Sequence, residues 1–77
     1  MHITLRLEGH IREFFPHLQR PLRIALSGSA TVADALASAG VPPELPGSVL
    51  CGGVRVDLSH RPADGDELIA LSPMSGG

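Results

Sequence analysis

Thr31-Val32-Ala33-Asp34-Ala35-Leu36-Ala37-Ser38-Ala39-Gly40 is the stretch whose reading decides the architecture. Val32, Ala35, Leu36 and Ala39 recur at i, i+3, i+4 and i+7, a single apolar stripe at helical spacing. Thr31 stands three residues before Asp34 in a near capping box, so the helix begins there. Gly40 suits the left-handed position that follows a helix, and Pro42 with Pro43 stops continuation. The spacing predicts one helix of about two to three turns. Its small residues, Ala35 and Ala39, let it lie close to a sheet.

Strands flank this helix on both sides. Ile3, Leu5 and Leu7 alternate with Thr4, Arg6 and Glu8, the period of a half-buried strand with the apolar set facing the core. Gly9 to Pro21 reads as a connection with a short helical turn around Ile11 to Phe15. Leu22, Ile24 and Leu26 then alternate with Arg23 and Ala25, a second strand paired with the first. After the helix, Val49, Leu50 and Cys51 lead to Gly52-Gly53, a pair that supplies the positive φ of a tight hairpin, and Val54, Val56 and Leu58 follow. Pro62 to Asp66 is another turn signal, and Glu67 to Leu71 is the last strand.

Two strands, one helix, shorter strands and a final strand describe an α+β domain, with about four to five strands in a mixed sheet and one main helix on one face. That order is the β-grasp (ubiquitin-like) order. Residues 1–72 are expected to form the domain and residues 73–77 a flexible C-terminal tail. No repeat, low-complexity segment or linker divides the chain.

Composition excludes several classes of function. A chain of 77 residues is too short for a deep catalytic cleft. Its hydrophobic fraction of 43% with 18% charged residues is that of a soluble protein without an apolar run able to span a bilayer, and Arg6 and Glu8 interrupt any signal-like start. One cysteine rules out an internal disulfide and fits a reducing compartment, so a cytoplasmic location is expected. A net charge of −2 and two aromatic residues argue against nucleic-acid binding. All six basic residues are arginine, so no side chain can accept an isopeptide bond.

The last part of the chain resembles the MoaD/ThiS family of ubiquitin-like sulfur carriers. The likeness is carried by Cys51-Gly52-Gly53, by the Asp64-Gly65-Asp66-Glu67 turn, and by the ending Pro73-Met74-Ser75-Gly76-Gly77. It extends loosely to Ile11-Arg12-Glu13 and to the helix start Thr31-Val32-Ala33-Asp34. A Gly-Gly ending alone is weak, since at a glycine usage of about 7% it arises in roughly one chain in 200. Joined to a β-grasp order it is specific. Proline before Ser-Gly-Gly is more similar to the small subunit of molybdopterin synthase than to thiamine-pathway carriers, which usually end Val-Gly-Gly or Gly-Gly-Gly.

The resemblance implies a protein co-substrate rather than an enzyme. An ATP-dependent adenylating enzyme of the MoeB/ThiF kind would activate the carboxylate of Gly77 as an acyl-adenylate. A donor such as a cysteine desulfurase or rhodanese would supply sulfur, leaving a thiocarboxylate. The acceptor would be the large subunit of molybdopterin synthase, which supplies a catalytic Lys, or another sulfur-accepting enzyme. ATP serves the partner, and this chain binds no cofactor. Pro73, Met74, Ser75 and Gly76 would thread the partner's channel: glycines carry no Cβ, and Pro73 fixes φ and holds the start of the tail extended. A frayed terminus is the plainer reading of the same residues.

Strand parity supplies a docking surface. With Leu68 and Ala70 inward, Ile69 and Leu71 point outward; with Val49 and Cys51 inward, so does Leu50. Leu50, Ile69 and Leu71, with Met74 nearby, form an apolar patch suited to a protein partner, provided the register is not slipped by one. Family members of the molybdopterin branch carry further apolar residues on this face where Glu8 and Arg55 stand here, and these two would pair if their strands are adjacent. Cys51, between apolar residues and without a basic neighbour, reads as a buried structural cysteine rather than a nucleophile. His2, His10, His17 and His60 lack metal-ligand spacing, and Asp64, Asp66 and Glu67 read as turn chemistry. Three rivals remain: a carrier for thiamine or another sulfur-containing metabolite, a ubiquitin-like modifier conjugated through Gly77, and a β-grasp module with an inert tail.

Overall fold

Five strands and one α-helix follow one another in the order β1 (His2–Glu8), β2 (Leu22–Ala25), α1 (Val32–Ser38), β3 (Ser48–Cys51), β4 (Val54–Val56) and β5 (Glu67–Leu71) in the computed structural model, which describes residues 1–72. Two 3₁₀ segments, Gly9–Phe14 and Pro16–Leu18, replace the single helical turn read from the sequence between β1 and β2. They bury Ile11 and Leu18 respectively.

The strands form one mixed sheet in the order β2-β1-β5-β3-β4. β1 and β5 run parallel at its centre, while β1–β2, β3–β5 and β3–β4 are antiparallel. Register lines the inner face up in rows. Leu22, Leu5, Leu68, Cys51 and Val54 form one row, and Leu7, Ala70, Val49 and Val56 the next. Ile3, Leu5, Leu7, Leu68 and Ala70 are all buried, because period-2 alternation places one side of each central strand under the helix.

α1 closes that face with Val32, Ala35, Leu36 and Ala39, which join the same core. The capping box is complete: Thr31 Oγ1 accepts from the Asp34 N–H at 3.2 Å, and Asp34 Oδ2 accepts from the Thr31 N–H at 2.9 Å. These bonds stabilise the charged carboxylate and hold the Asp34 pKa below its ordinary value. At the far end Gly40 takes φ +80°, where the helix turns off. His17 reaches that end, its Nε2 lying 2.8 Å from the Ala39 carbonyl oxygen. A carbonyl can only accept, so Nε2 carries the proton. This histidine is therefore a structural contact between the 3₁₀ segment and the helix, where the sequence offered only a surface residue.

The hairpin between β3 and β4 turns on Gly52 and Gly53 at φ +61° and +81°, the paired positive values of a type I′ turn. The Asp64-Gly65-Asp66 turn ties β5 to the start of β1. Asp64 Oδ1 accepts from the His2 N–H at 2.7 Å, the Gly65 N–H donates to the His2 carbonyl at 2.7 Å, and the Thr4 N–H donates to the Asp66 carbonyl at 2.9 Å.

Candidate functional site

The C-terminal end of β5 is the described structure nearest in sequence to the predicted reactive tail. Ser72 extends the β1–β5 pairing, its N–H donating to the Glu8 carbonyl at 3.3 Å. Its Oγ turns to the other side and accepts from the Ile11 N–H at 3.3 Å. Gly9 makes this closure possible, because φ is +82° there and a Cβ would stand 2.6 Å from the Ser72 Oγ. The root of the tail is thus clamped between the end of β1 and the first 3₁₀ segment. Pro73, Met74, Ser75, Gly76 and Gly77, to which the sequence assigned the chemistry, lie outside the described residues.

On the face opposite α1, register places Arg6, Ile69, Leu50 and Arg55 in one row across β1, β5, β3 and β4. Glu8, Leu71 and Ser48 form the next. Leu50, Ile69 and Leu71 are therefore neighbours on one face, each half-buried. Leu71 is the nearest of the three to the tail.

Glu8 and Arg55 do share this face, but they do not pair. Both β5 and β3 stand between their strands, and they occupy different rows. Glu8 instead bonds the Arg6 Nε at 2.9 Å, two residues back on its own strand and on the same face. Exposed pairs of this kind contribute little stability. Arg55 ends its row with no ion pair among the described residues.

Phe14 and Leu45 are the site residues that sequence reading missed. Their exposures of 72% and 49% are unusual for large apolar side chains. With His10, Ile11 and Ser72 they line an open hollow of about 190 Å³ beside the tail root. In a 3₁₀ segment side chains three apart eclipse, so Ile11 and Phe14 stand together. An α-helical or alternating template does not reveal that pairing.

Cys51 is half-buried, more accessible than the buried position expected for it. Its Sγ donates to Asp66 Oδ2 at 3.4 Å. Partial burial first, and then this hydrogen bond and the carboxylate's charge, push the thiol pKa up. The same oxygen accepts from the Ala63 N–H at 2.9 Å, so Asp66 is committed to the turn. Among the described residues no group of three or more His, Cys, Asp and Glu is placed to hold a metal. No helix among them is long and apolar enough to cross a membrane.

Comparison with known proteins agrees with this geometry. Small archaeal modifier protein 1 (SAMP1) from Haloferax volcanii has a crystal structure that superposes with a TM-score of 0.80 at 30% identity over 100% of both chains. A putative molybdopterin converting factor subunit 1 from Pyrococcus furiosus gives 0.73 at 14% identity, covering 96% of this chain and 99% of that one. Urm1 from Trypanosoma brucei gives 0.67 at 18% identity, over 99% and 95% of the two chains. The last two show the fold, which is the β-grasp. Among curated protein sequences none matches the chain. The sequence profile described as Mut7-C ubiquitin matches residues 1–76. The chain therefore belongs to the Mut7-C ubiquitin family.

Proposed function

We propose that this chain is a sulfur carrier acting as a protein co-substrate, with Gly77 as the loaded residue. The observation that carries the reading is the clamp on Ser72: it holds the end of the last, central strand to β1 and to the first 3₁₀ segment, and so fixes the point in the sequence that the Gly-Gly ending follows. An adenylating enzyme converts the Gly77 carboxylate and ATP to acyl-adenylate and pyrophosphate. A persulfide then attacks the acyl carbon, the C–O bond to AMP breaks, and reductive cleavage of the S–S bond by a thiol leaves the thiocarboxylate. The face of Leu50, Ile69 and Leu71 docks the partner while the tail enters its channel.

The Pro73-Met74-Ser75-Gly76-Gly77 ending supports molybdopterin synthesis as the destination, with this chain as the small subunit of a two-protein synthase and the catalytic groups on the larger one. A ThiS-like carrier for another sulfur-containing metabolite uses the same loading step. The second reading, a modifier conjugated through Gly77, is favoured by one observation: the protein that matches at 30% identity is a small archaeal modifier protein. With no lysine in its sequence, this chain could then modify other proteins but not extend a polymer through its own side chains.

Intact-mass measurement after incubation with an adenylating enzyme, ATP and a sulfur donor tests the reading. The expected gain is the replacement of one oxygen by sulfur, lost on deletion of Gly77 with the melting temperature nearly unchanged. Loading that survives the deletion sinks the mechanism. Adducts on lysines of other proteins, without a thiocarboxylate, replace it with the modifier.

A further inference from the structure

β2 and β4 each have one side without a neighbouring strand, and the hydrogen-bond phase of each fixes what it shows to solvent. For β2 the phase follows from its pairing with β1. The Leu26 N–H donates to the Met1 carbonyl and the Met1 nitrogen donates to the Leu26 carbonyl, both at 2.8 Å, so these two residues are a hydrogen-bonded antiparallel pair. Along the same register Ile3 with Ile24 and Leu5 with Leu22 are bonded pairs, while His2 with Ala25 and Thr4 with Arg23 are not. The other partners of β1 agree: the His2 and Thr4 N–H groups go to Asp64 Oδ1 and to the Asp66 carbonyl, on the side away from β2. Arg23 and Ala25 therefore turn their N–H and C=O groups off the open edge. Both residues are exposed, and among the described residues no hydrogen bond from another loop or side chain reaches these groups.

An open edge of this kind is completed by another extended backbone. The sequence of β2 matches itself. Leu22-Arg23-Ile24-Ala25-Leu26 is symmetric in its large apolar residues about Ile24. With a second β2 laid antiparallel and Ile24 opposite Ile24, Arg23 stands opposite Ala25 and Leu22 opposite Leu26. Arg23 and Ala25 are the outward residues, so each such pair exchanges its two hydrogen bonds about a twofold axis. On the inner face Leu22 and Leu26, half-buried at the rim of the core, cover one another. On the outer face each arginine meets a methyl group rather than another arginine.

β4 does not match itself in this way. Cys51 and Val54 flank the two-residue turn and form its hydrogen-bonded pair, which leaves Arg55 as the outward residue. Antiparallel pairing of two β4 strands about Arg55 sets guanidinium against guanidinium, and like charges directly opposite one another destabilise a ladder.

We propose that the chain self-associates through β2, antiparallel and centred on Ile24, so that two five-stranded sheets become one continuous sheet. Pro21 has no N–H to donate and ends the added ladder, which keeps the contact short. Leu22 to Leu26 on each side is far below the roughly 20–30 residues a side of a standard interface, so the association is weak, on the order of 0.1–1 mM. β1 separates β2 from β5, so Leu50, Ile69, Leu71 and the end of β5 stay uncovered in both copies. The contact is independent of the chemistry assigned to Gly77.

Sedimentation equilibrium and ¹⁵N NMR of the full chain, from about 0.05 to about 2 mM, test it. Expected are a monomer–dimer equilibrium, and concentration-dependent shifts with slowed hydrogen exchange at the Arg23 and Ala25 amides. Ala25→Arg places a second cation opposite Arg23 in both symmetric pairs and should weaken the dimer by about two- to thirtyfold, while Ala25→Glu should tighten it. Ala25→Pro removes an N–H that the monomer leaves in solvent, so it should abolish the dimer while the shifts of the rest of the sheet are retained. A chain that stays monomeric at the highest concentration overturns the proposal. So does a dimer whose concentration-dependent shifts fall at Arg55 or at Leu50 and Ile69, or one that responds alike to Ala25→Arg and Ala25→Glu. Assembly beyond the dimer overturns it as well, because a twofold contact through β2 closes on itself.

Discussion

Leu50 and Ile69 stand directly opposite one another across β3 and β5, on the face of the sheet that α1 leaves uncovered. Arg6 continues their row on one side and Arg55 on the other, so the row reads charged, apolar, apolar, charged. Leu71 joins from the next row, closer to the tail. A narrow apolar strip with arginine at both ends favours a partner surface that is apolar at its centre and carries carboxylates at its rim.

Ile69→Glu is expected to weaken binding to an adenylating enzyme by more than tenfold, the equivalent of about 1.4 kcal/mol, because it places a charge at the centre of the strip. The stability cost should be about 1 kcal/mol or less, since the side chain is half-buried and not in the core. Arg23→Glu, on β2 at the edge of the same face, serves as the control with little effect on binding. Calorimetric titration and thermal melts of the three proteins check this. A melting loss in Ile69→Glu as large as that of a core variant such as Leu68→Glu would contradict the assigned face.

Much of this was legible in the sequence because the signals are local. Thr31 with Asp34, Gly52 with Gly53, and the alternation of Ile3, Leu5 and Leu7 each state a backbone conformation within a few residues, and tertiary packing agrees with all of them. Strand order is not local. Nothing near Glu8 or Arg55 shows that β5 and β3 separate them, so the expected pair gave way to Arg6 with Glu8. The clamp of Gly9 on Ser72 joins residues at opposite ends of the chain and has no sequence signature. Phe14 and Leu45 were hidden for a related reason: one lies in a 3₁₀ segment, the other between Pro43 and Pro46, and only folding brings them together.

Gly9→Ala is expected to destabilise the domain by about 2–3 kcal/mol, combining the cost of a left-handed backbone for an L-residue with the close approach to the Ser72 hydroxyl. For a domain of this size that lowers the melting temperature by roughly 10–20 °C. The Ser72→Ala background separates the two contributions. Removing Oγ relieves the contact but not the φ of +82°, so Gly9→Ala should cost less there without becoming neutral. Equal costs in both backgrounds would show that the contact contributes nothing.

The Cys51 thiol is expected to alkylate slowly. Burial and the Asp66 carboxylate raise its pKa above the ordinary value of 9.0, which depletes the thiolate that reacts. Asp66→Asn removes the charge and should speed modification by iodoacetamide at pH 8 by about two- to tenfold. Unchanged kinetics would mean that burial alone governs the thiol. A fast wild-type reaction would reopen a chemical role for Cys51.

Acid should unfold the chain through two carboxylates, Asp34 in the first turn of α1 and Asp64 beside the start of β1. Asp34 is held below the ordinary value of 3.8 by the backbone and side-chain hydrogen bonds of Thr31. Asp64 is held down first by the His2 N–H, then by the N-terminal ammonium, His2 and Arg23. A carboxylate whose folded pKa is depressed stabilises the fold fully above its unfolded value. That contribution is lost as pH falls through the lower, folded value. Stability contributed by these two groups should therefore be flat at neutral pH and decline only from about pH 4 downward. Melting curves of wild type and of the variant carrying Asp34→Asn and Asp64→Asn, taken from about pH 6 to about pH 2, check this: the variant starts less stable and loses less on acidification. Parallel pH profiles for the two proteins would place the acid sensitivity elsewhere, and hydrogen exchange at the Thr31 and His2 amides then shows whether the caps persist after protonation.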